Sequence, residues 1–373
     1  MHVPVSKPLI DEDDVEAVAG AVRRTDVSGW TGPELKEFEK EFATFCDTQY
    51  AVTVANGTVA LHLALATLNI GPGDEVLVQS FTNMASIFSI LYTGATPVPI
   101  DSEKDTLNMD PALLESKITK RTKAIMPVHI YGHPVDMDPV MEVARKHNLY
   151  VIEDAAEAHG ALYKGKKVGS IGDIGCFSLY VNKIVQSGEG GALTMNDPAL
   201  AERARSLKCL AFGKKNKFMH DEVGFNYRMT NMQCALALSQ LKKVDQIIAK
   251  KREIAVYFST QFADIPEFQL PVQKSYGTNV YWMYNVVLKG SLEGKRTQFL
   301  SALKEKGIEA REDFIPFSSQ EIFIQKGLVR GDECPVAAYA GENGFYLPSG
   351  PSIEEDELAY VASSVREAVS TLR

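Results

Sequence analysis

The chain has 373 residues, 39 basic and 48 acidic side chains and a formal net charge of −9. With 45% hydrophobic and 23% charged residues it has the composition of a globular chain able to bury a sizeable core, long enough for two or three domains. The acidic balance argues against nucleic acid or an anionic membrane as the main partner. Met1 to Asp14 lacks the basic-then-apolar layout of a signal peptide. The five cysteines (Cys46, Cys176, Cys209, Cys234, Cys334) are odd in number and form no C-x-x-C pair. A disulfide framework or a zinc ribbon is therefore not expected, and a reducing cytoplasm is.

In chain order, the first clear helix carries Leu35, Phe38, Phe42 and Phe45 on one face. The longest uncharged run, Thr48 to Gly73, reads as a buried strand, an Asn56-Gly57 turn and a buried helix, not as a membrane span. Short apolar runs at 51–54, 75–78, 124–128 and 149–152 alternate with helical patterns, one of them from Pro139 to His147. That alternation predicts an α/β domain built on a largely parallel sheet with helices on both faces. A long helical stretch is expected from Met229 to Phe258, then a strand-rich portion starting within Gly277–Gly290. A last helix is expected behind a Ser352/Glu355 capping box, with Leu358, Val361, Val365, Val369 and Leu372 as its apolar stripe. The expected organisation is a large α/β domain over 1–245 and a smaller α+β domain over 246–373.

Three segments at predicted strand ends carry chemistry, where open α/β sheets place ligands. In Val54-Ala55-Asn56-Gly57-Thr58 a strand turns into a helix whose first amides and the Thr58 hydroxyl suit a phosphate, although a plain strand-to-helix turn has the same signature. In Val151-Ile152-Glu153-Asp154-Ala155-Ala156-Glu157 an apolar strand runs into acids. Asp154 could hold a cationic ring nitrogen, with Glu157 reaching another part of the same ring; a solvated acid or a helix cap fits equally. In Ser178-Leu179-Tyr180-Val181-Asn182-Lys183, followed by Ser187-Gly188-Glu189-Gly190-Gly191, a lysine and a serine can reach one bound group. Most lone lysines are surface charges, but this one is flanked by apolar residues, and a neutral lysine amine can form a Schiff base.

Other signatures fail on their own terms. The 188–193 segment lacks the last glycine of a dinucleotide fingerprint, and Gly160 to Lys166 has Lys167 where a P-loop needs Ser or Thr. His129 and His133 lie around Gly132 and Pro134 without a helical register, which suits structural or substrate-facing roles better than zinc. The basic clusters at 214–217 and 250–252 read as solvated faces.

Taken in order, N-G-T, E-D-A-A-E-A-H-G, S-L-Y-V-N-K, G-E-G-G-A-L and G-F-N-Y-R-M-T-N-M-Q resemble the DegT/DnrJ/EryC1/StrS family of sugar aminotransferases, and the likeness runs to Leu347-Pro348-Ser349. The resemblance implies the aspartate-aminotransferase fold (fold type I) and pyridoxal 5'-phosphate. Lys183 would bind the cofactor covalently and shuttle a proton, and Asp154 would pair with the pyridinium nitrogen. Glu157 would sit near the ring's phenolic oxygen. Gly57, Thr58 and Ser178 would bind the phosphate with Asn56 close by. Asn226, with Arg228 as a further contributor, would reach across from a second subunit, which implies an obligate homodimer. The implied reaction moves an amino group from glutamate, leaving 2-oxoglutarate, to a nucleotide-linked keto-deoxy sugar. Glu157, where the family often has Gln, and His220-Asp221 point to amination of a 4-keto-6-deoxy sugar. The rivals are amination at C-3, a dehydratase using the same cofactor, and a non-enzymatic cofactor-binding dimer. The sequence departs from the family at Asn83, counted here among the cofactor-binding residues, where an aromatic residue usually stacks on the ring; either Phe81 or Met84 covers that face instead, or the face is more open and polar than usual. It departs again at Pro316-Phe317-Ser318, where a P-x-H segment is usual.

Overall fold

The computed structural model describes residues 1–373 apart from 214 and 221. Helices α1 (Glu12–Arg23) and α2 (Pro33–Phe45) lead into β1 (Tyr50–Val54), α3 (Gly57–Thr67), β2 (Glu75–Gln79), α4 (Met84–Tyr92) and β3 (Thr96–Ile100). The short α5 (Leu114–Lys117) precedes β4 (Thr122–Met126), α6 (Met137–His147) and β5 (Tyr150–Asp154). Two short strands, β6 (Leu162–Tyr163) and β7 (Lys166–Lys167), separate β5 from β8 (Ile174–Ser178) and β9 (Gly191–Met195). Helices α7 (Pro198–Leu207), α8 (Asn231–Leu241) and α9 (Val244–Phe262) follow.

The main sheet has the order β1-β9-β8-β5-β4-β2-β3. Its strands are parallel except β9, which is antiparallel to both β1 and β8. Side chains alternate between the two faces. Val76, Val78, Ile152 and Cys176 pack with the α3 and α4 side, whereas Leu77, Val151 and Phe177 pack on the opposite side with α2, α6 and α8. Both faces are dry, so the strands read as unbroken apolar runs. Strand β3 escaped the pattern because Pro97 and Pro99 interrupt it. It lies at the sheet edge, where a missing N–H is tolerated.

The expected helix over 229–258 is two helices, broken at Lys242-Lys243. Lys243 turns its amine onto Asp14 of α1 (2.9 Å) and onto Asp11, which caps that helix, holding the break while α9 leaves toward the C-terminal part. That part contains a four-stranded antiparallel sheet, in spatial order Phe268–Gln269, Tyr284–Leu288, Gly344–Leu347, Arg311–Glu312, and its core includes Phe258, Phe299 and Val365. The first residues join this core: Val3 is fully buried there and pairs with Ile308, although the sequence groups the N-terminal segment with the large domain. The last helix spans Glu355–Leu372 and is capped by the Glu354 amide donating to Glu357 Oε2 (2.9 Å). Ser352, expected as the cap, instead donates its hydroxyl to the Lys7 carbonyl.

Candidate active site

Each of the three segments lies at the C-terminal end of a strand in the main sheet: β1, β5 and β8. Asn56 caps α3, its Oδ1 accepting the Val59 amide at 3.0 Å, so its side chain shapes the turn. The amides of Gly57 and Thr58, in the first turn of α3, have no acceptor within the helix. Gly57 faces Ser178 so closely that a Cβ on it would lie 2.8 Å from the Ser178 Cβ. Only glycine permits that approach, which brings two helix amides, the positive helix end and the Ser178 hydroxyl to one point. This cradle fits a phosphate.

At the end of β5 the paired acids point to opposite faces. Glu153 takes the α6 side, where its carboxylate accepts the amides of Gly169 (2.8 Å), Ile171 (2.7 Å) and Gly172 (2.6 Å) and meets His129 Nε2 at 3.1 Å. His129 Nδ1 accepts the Val135 amide, so Nε2 carries the proton and donates to Glu153. Asp154 takes the other face, accepting from the Ser86 hydroxyl (2.8 Å) and the Ala156 amide (3.2 Å). Burial pushes the Asp154 carboxyl above its usual range, with the Ser86 bond opposing. A cationic ring nitrogen beside it would remove that penalty.

Lys183 sits in a loop closed by backbone bonds from Leu179 to Gly190 and from Val181 to Gly188, the latter at a left-handed φ of +76°. Its amine lies 3.9 Å from Glu157 Oε1 and 3.5 Å from the Trp282 ring centroid, and its side chain is 10% exposed. Burial lowers its pKa, which the charges of Glu157 and Asp154 resist. Burial raises Glu157 to about 7, with Lys183 and the Tyr131 amide (2.8 Å to Oε2) pulling it back. A lysine amine whose proton is loosened by burial and that has a carboxylate 3.9 Å away is suited to attack a carbonyl and to move protons. These buried acids and the phosphate cradle fit pyridoxal phosphate.

Asn56, Gly57, Thr58, Asp154, Glu157, Ser178 and Lys183 thus come together at the sheet's C-terminal ends. Asn83 is exposed and caps α4 by accepting the Ala85 amide (2.9 Å), one turn before Ser86. Phe81 is fully buried, edge-on to Tyr131 and Phe314, and Met84 is half-buried. Asn226 is exposed; Arg228 is half-buried, its guanidinium 5.6 Å from the Trp30 ring centroid. Their segment runs beside the phosphate turn, the Ala55 amide bonding the Tyr227 carbonyl at 2.8 Å. His220 bonds the Leu210 carbonyl, and Asp221 lies outside the described residues. Ser318, in place of the family's usual His, is wholly buried and bonded to the Ser80 hydroxyl (3.0 Å).

Sequence reasoning missed Ser86, Tyr131 and Trp282, whose partners lie far along the chain. It also left Glu153 unassigned, although strand alternation would have separated it from Asp154. His129 and His133 are both buried, and no cluster of three metal-ligating side chains exists among the described residues. No helix among them is long and apolar enough to cross a membrane.

A model of the DegT/DnrJ/EryC1/StrS aminotransferase family matches residues 8–366. The GDP-perosamine synthases of Caulobacter vibrioides and Escherichia coli O157:H7 are 41% and 40% identical, each over 99% of this chain and over 98% and 99% of their own lengths. Among solved structures, DesV of S. venezuelae in complex with a ketimine intermediate superposes with a TM-score of 0.89 at 36% identity, covering 95% of this chain and 93% of DesV. The aminotransferase from Psychrobacter cryohalolentis gives 0.92 at 34%, covering 99% and 100%. With the geometry above, the conclusion is that this chain belongs to the DegT/DnrJ/EryC1/StrS aminotransferase family and is a pyridoxal-phosphate-dependent nucleotide-sugar aminotransferase.

Proposed function

We propose that the enzyme transfers an amino group from glutamate to the C-4 keto carbon of a GDP-linked 4-keto-6-deoxy sugar, as a cytoplasmic homodimer, and that the amino sugar serves lipopolysaccharide O-antigen synthesis. The observation that carries the reading is the buried Lys183 amine between Glu157 and Trp282, with Asp154 on the same side of the sheet. Similarity to two GDP-perosamine synthases supports the sugar and the position of amination.

Pyridoxal phosphate, when bound, would supply an electron sink beside the donor's α-carbon. The amides of Gly57 and Thr58 and the Ser178 hydroxyl hold its phosphate, and Asp154 holds its ring nitrogen protonated. Lys183 Nζ takes and returns the proton, and Glu157 keeps a counter-charge 3.9 Å away. The phosphate cradle draws on amides and a hydroxyl, and Asn226, exposed in this chain, would complete a second subunit's cradle. Lys183 argues against the dehydratase branch, which carries histidine there.

The test is to mix the purified protein with pyridoxal phosphate, glutamate and a panel of GDP-, UDP- and dTDP-linked 4-keto and 3-keto sugars, following 2-oxoglutarate and the amino sugar. The expected result is 2-oxoglutarate release that is abolished in Lys183→Ala, and a 4-amino product from the GDP sugar. A 3-amino product, or turnover retained by Lys183→Ala, would overturn the reading.

A further inference from the structure

Tyr131 is buried in an unfavourable backbone conformation. Its φ of +52° is left-handed, a region that a bulky aromatic residue rarely enters. Strain of this kind persists only where the surroundings over-determine it, and here four contacts do so. The Tyr131 carbonyl accepts the Trp282 amide at 2.8 Å. Its ring stacks near-parallel on Phe314 (5.7 Å between centroids, 6° between planes) and on Trp282 (6.2 Å, 14°). Its hydroxyl and Asp313 Oδ1 are both buried without an ordinary hydrogen bond, and the two side chains are neighbours, Asp313 being held on its other oxygen by Asn285. The fourth contact is the Tyr131 amide to Glu157 Oε2, at 2.8 Å.

The contacts have a direction. Phe314, Trp282, Asp313 and Asn285 all come from the C-terminal part of the chain, while Glu157 lies in the turn just after β5 of the main sheet. Trp282 touches both ends of the chain of contacts: its ring lies over the Lys183 amine, and its indole N–H donates to the Asn182 carbonyl at 2.8 Å. The left-handed turn at position 131 lets one residue give its amide to Glu157 and its carbonyl and ring to the C-terminal part of the chain. We propose that Tyr131 is a positioning residue, its ring clamped between Trp282 and Phe314 so that its strained backbone holds an amide on Glu157 and fixes that carboxylate against Lys183. Through this clamp the C-terminal part of the chain sets the state of the reacting amine. The inference rests on Lys183 being the reacting amine of the proposed transamination.

The charges that bear on the pair are few. Lys183 meets Glu157 and Asp154, with the neutral His159 behind it; Glu157 is faced also by Tyr346 and Asp313. An amide donor favours the charged carboxylate, and the charged carboxylate favours the lysine ammonium. Releasing the amide therefore lowers the pH at which Lys183 loses its proton.

The test measures the cofactor-free protein, so it does not depend on turnover. Competitive acetylation by acetic anhydride across pH, read by mass spectrometry of the Lys183 peptide, gives the midpoint of the Lys183 amine. Tyr131→Gly accepts the left-handed backbone without strain but removes the clamped ring; its midpoint should fall by about half a pH unit or more. Tyr131→Phe keeps the ring and should stay near the wild-type value. Glu157→Gln should fall at least as far as Tyr131→Gly. If Tyr131→Gly does not fold, as judged by circular dichroism, Phe314→Ala removes the clamp from the other side and should shift the midpoint the same way. A wild-type midpoint in the folded clamp variant, an equal shift in Tyr131→Phe, or no shift in Glu157→Gln overturns the proposal. Absence of transamination with an intact labelling pattern would instead count against the proposed function alone.

Discussion

The two faces of the main sheet at the end of β5 treat adjacent acids in opposite ways. Glu153 is saturated, with three backbone amides and an imidazole N–H meeting its two oxygens. Asp154, one residue on, has one hydroxyl and one amide at 3.2 Å, and burial raises its pKa. Both are buried. A buried carboxylate with all its hydrogen bonds made is a structural part, because it is fully compensated within the protein. A buried carboxylate left partly unsatisfied is poised to bind a cation. The same contrast separates Glu153 from Glu157, which has one amide and a lysine 3.9 Å away. Degree of satisfaction, more than burial, distinguishes the candidate site acids from the scaffold.

Exchanging the charge at each acid tests the contrast most sharply. Asp154→Asn should reduce kcat by about a hundredfold or more while leaving the melting temperature close to wild type, since a positioned charge is lost from the site and little from the scaffold. Steady-state kinetics beside a thermal melt measures both. Glu153→Gln should do the reverse. Replacing one oxygen with an NH2 group turns a donor toward amides that need an acceptor, at a cost of about 3 kcal/mol in stability, with kcat of the folded enzyme within about threefold of wild type. If both variants lose activity equally without unfolding, the contrast fails.

A smaller effect tests the phosphate end. Gly57→Ala puts a methyl group 2.8 Å from the Ser178 Cβ, so the cradle must open. Cofactor affinity should weaken by about tenfold, read by fluorescence titration, with the acids' ionisation unaffected. The smallest is a pH slope in the cofactor-free protein. Burial raises Glu157 from 4.5 to about 7, so between those values the folded state binds more protons than the unfolded chain. Stability from this group is therefore fully present below pH 4.5 and is lost as pH rises through about 7. Lys183 is shifted the other way, and its contribution grows with rising pH up to its ordinary value of 10.5. In chemical denaturation series, Glu157→Gln should flatten the slope below pH 7 and leave the Glu153 face unchanged.

Where the cause of a feature is local, the sequence displays it. Asn56 capping α3 follows from a strand, a turn and a helix within about a dozen residues, whereas the close approach of Gly57 to Ser178 joins segments distant in the chain. Asp154 could be singled out because a polar residue ending an apolar strand is conspicuous. Lys183 stood out through its apolar flanks. The break at Lys242-Lys243 could not be read in this way, because each half is a good helix; the reason to stop lies in Asp11 and Asp14, more than two hundred residues away. Ser318 stood out as a departure from the usual P-x-H segment, but in the fold its hydroxyl is spent on Ser80.

By itself, then, the sequence determined the alternation of strands and helices and the parallel sheet, since periodicity and turn chemistry act over a few residues; the candidate site residues came with the family resemblance. Only the tertiary structure decided how those groups are tuned. Whether an acid is saturated or left wanting depends on amides and hydroxyls brought from distant segments: Ser86 to Asp154, Gly169 and Ile171 to Glu153, Tyr131 to Glu157. The placing of Trp282 over Lys183, and of Tyr131 in a conformation its own residue type disfavours, required packing from the far end of the chain. Burial and long-range contact set the energies of the site, and neither is a local property.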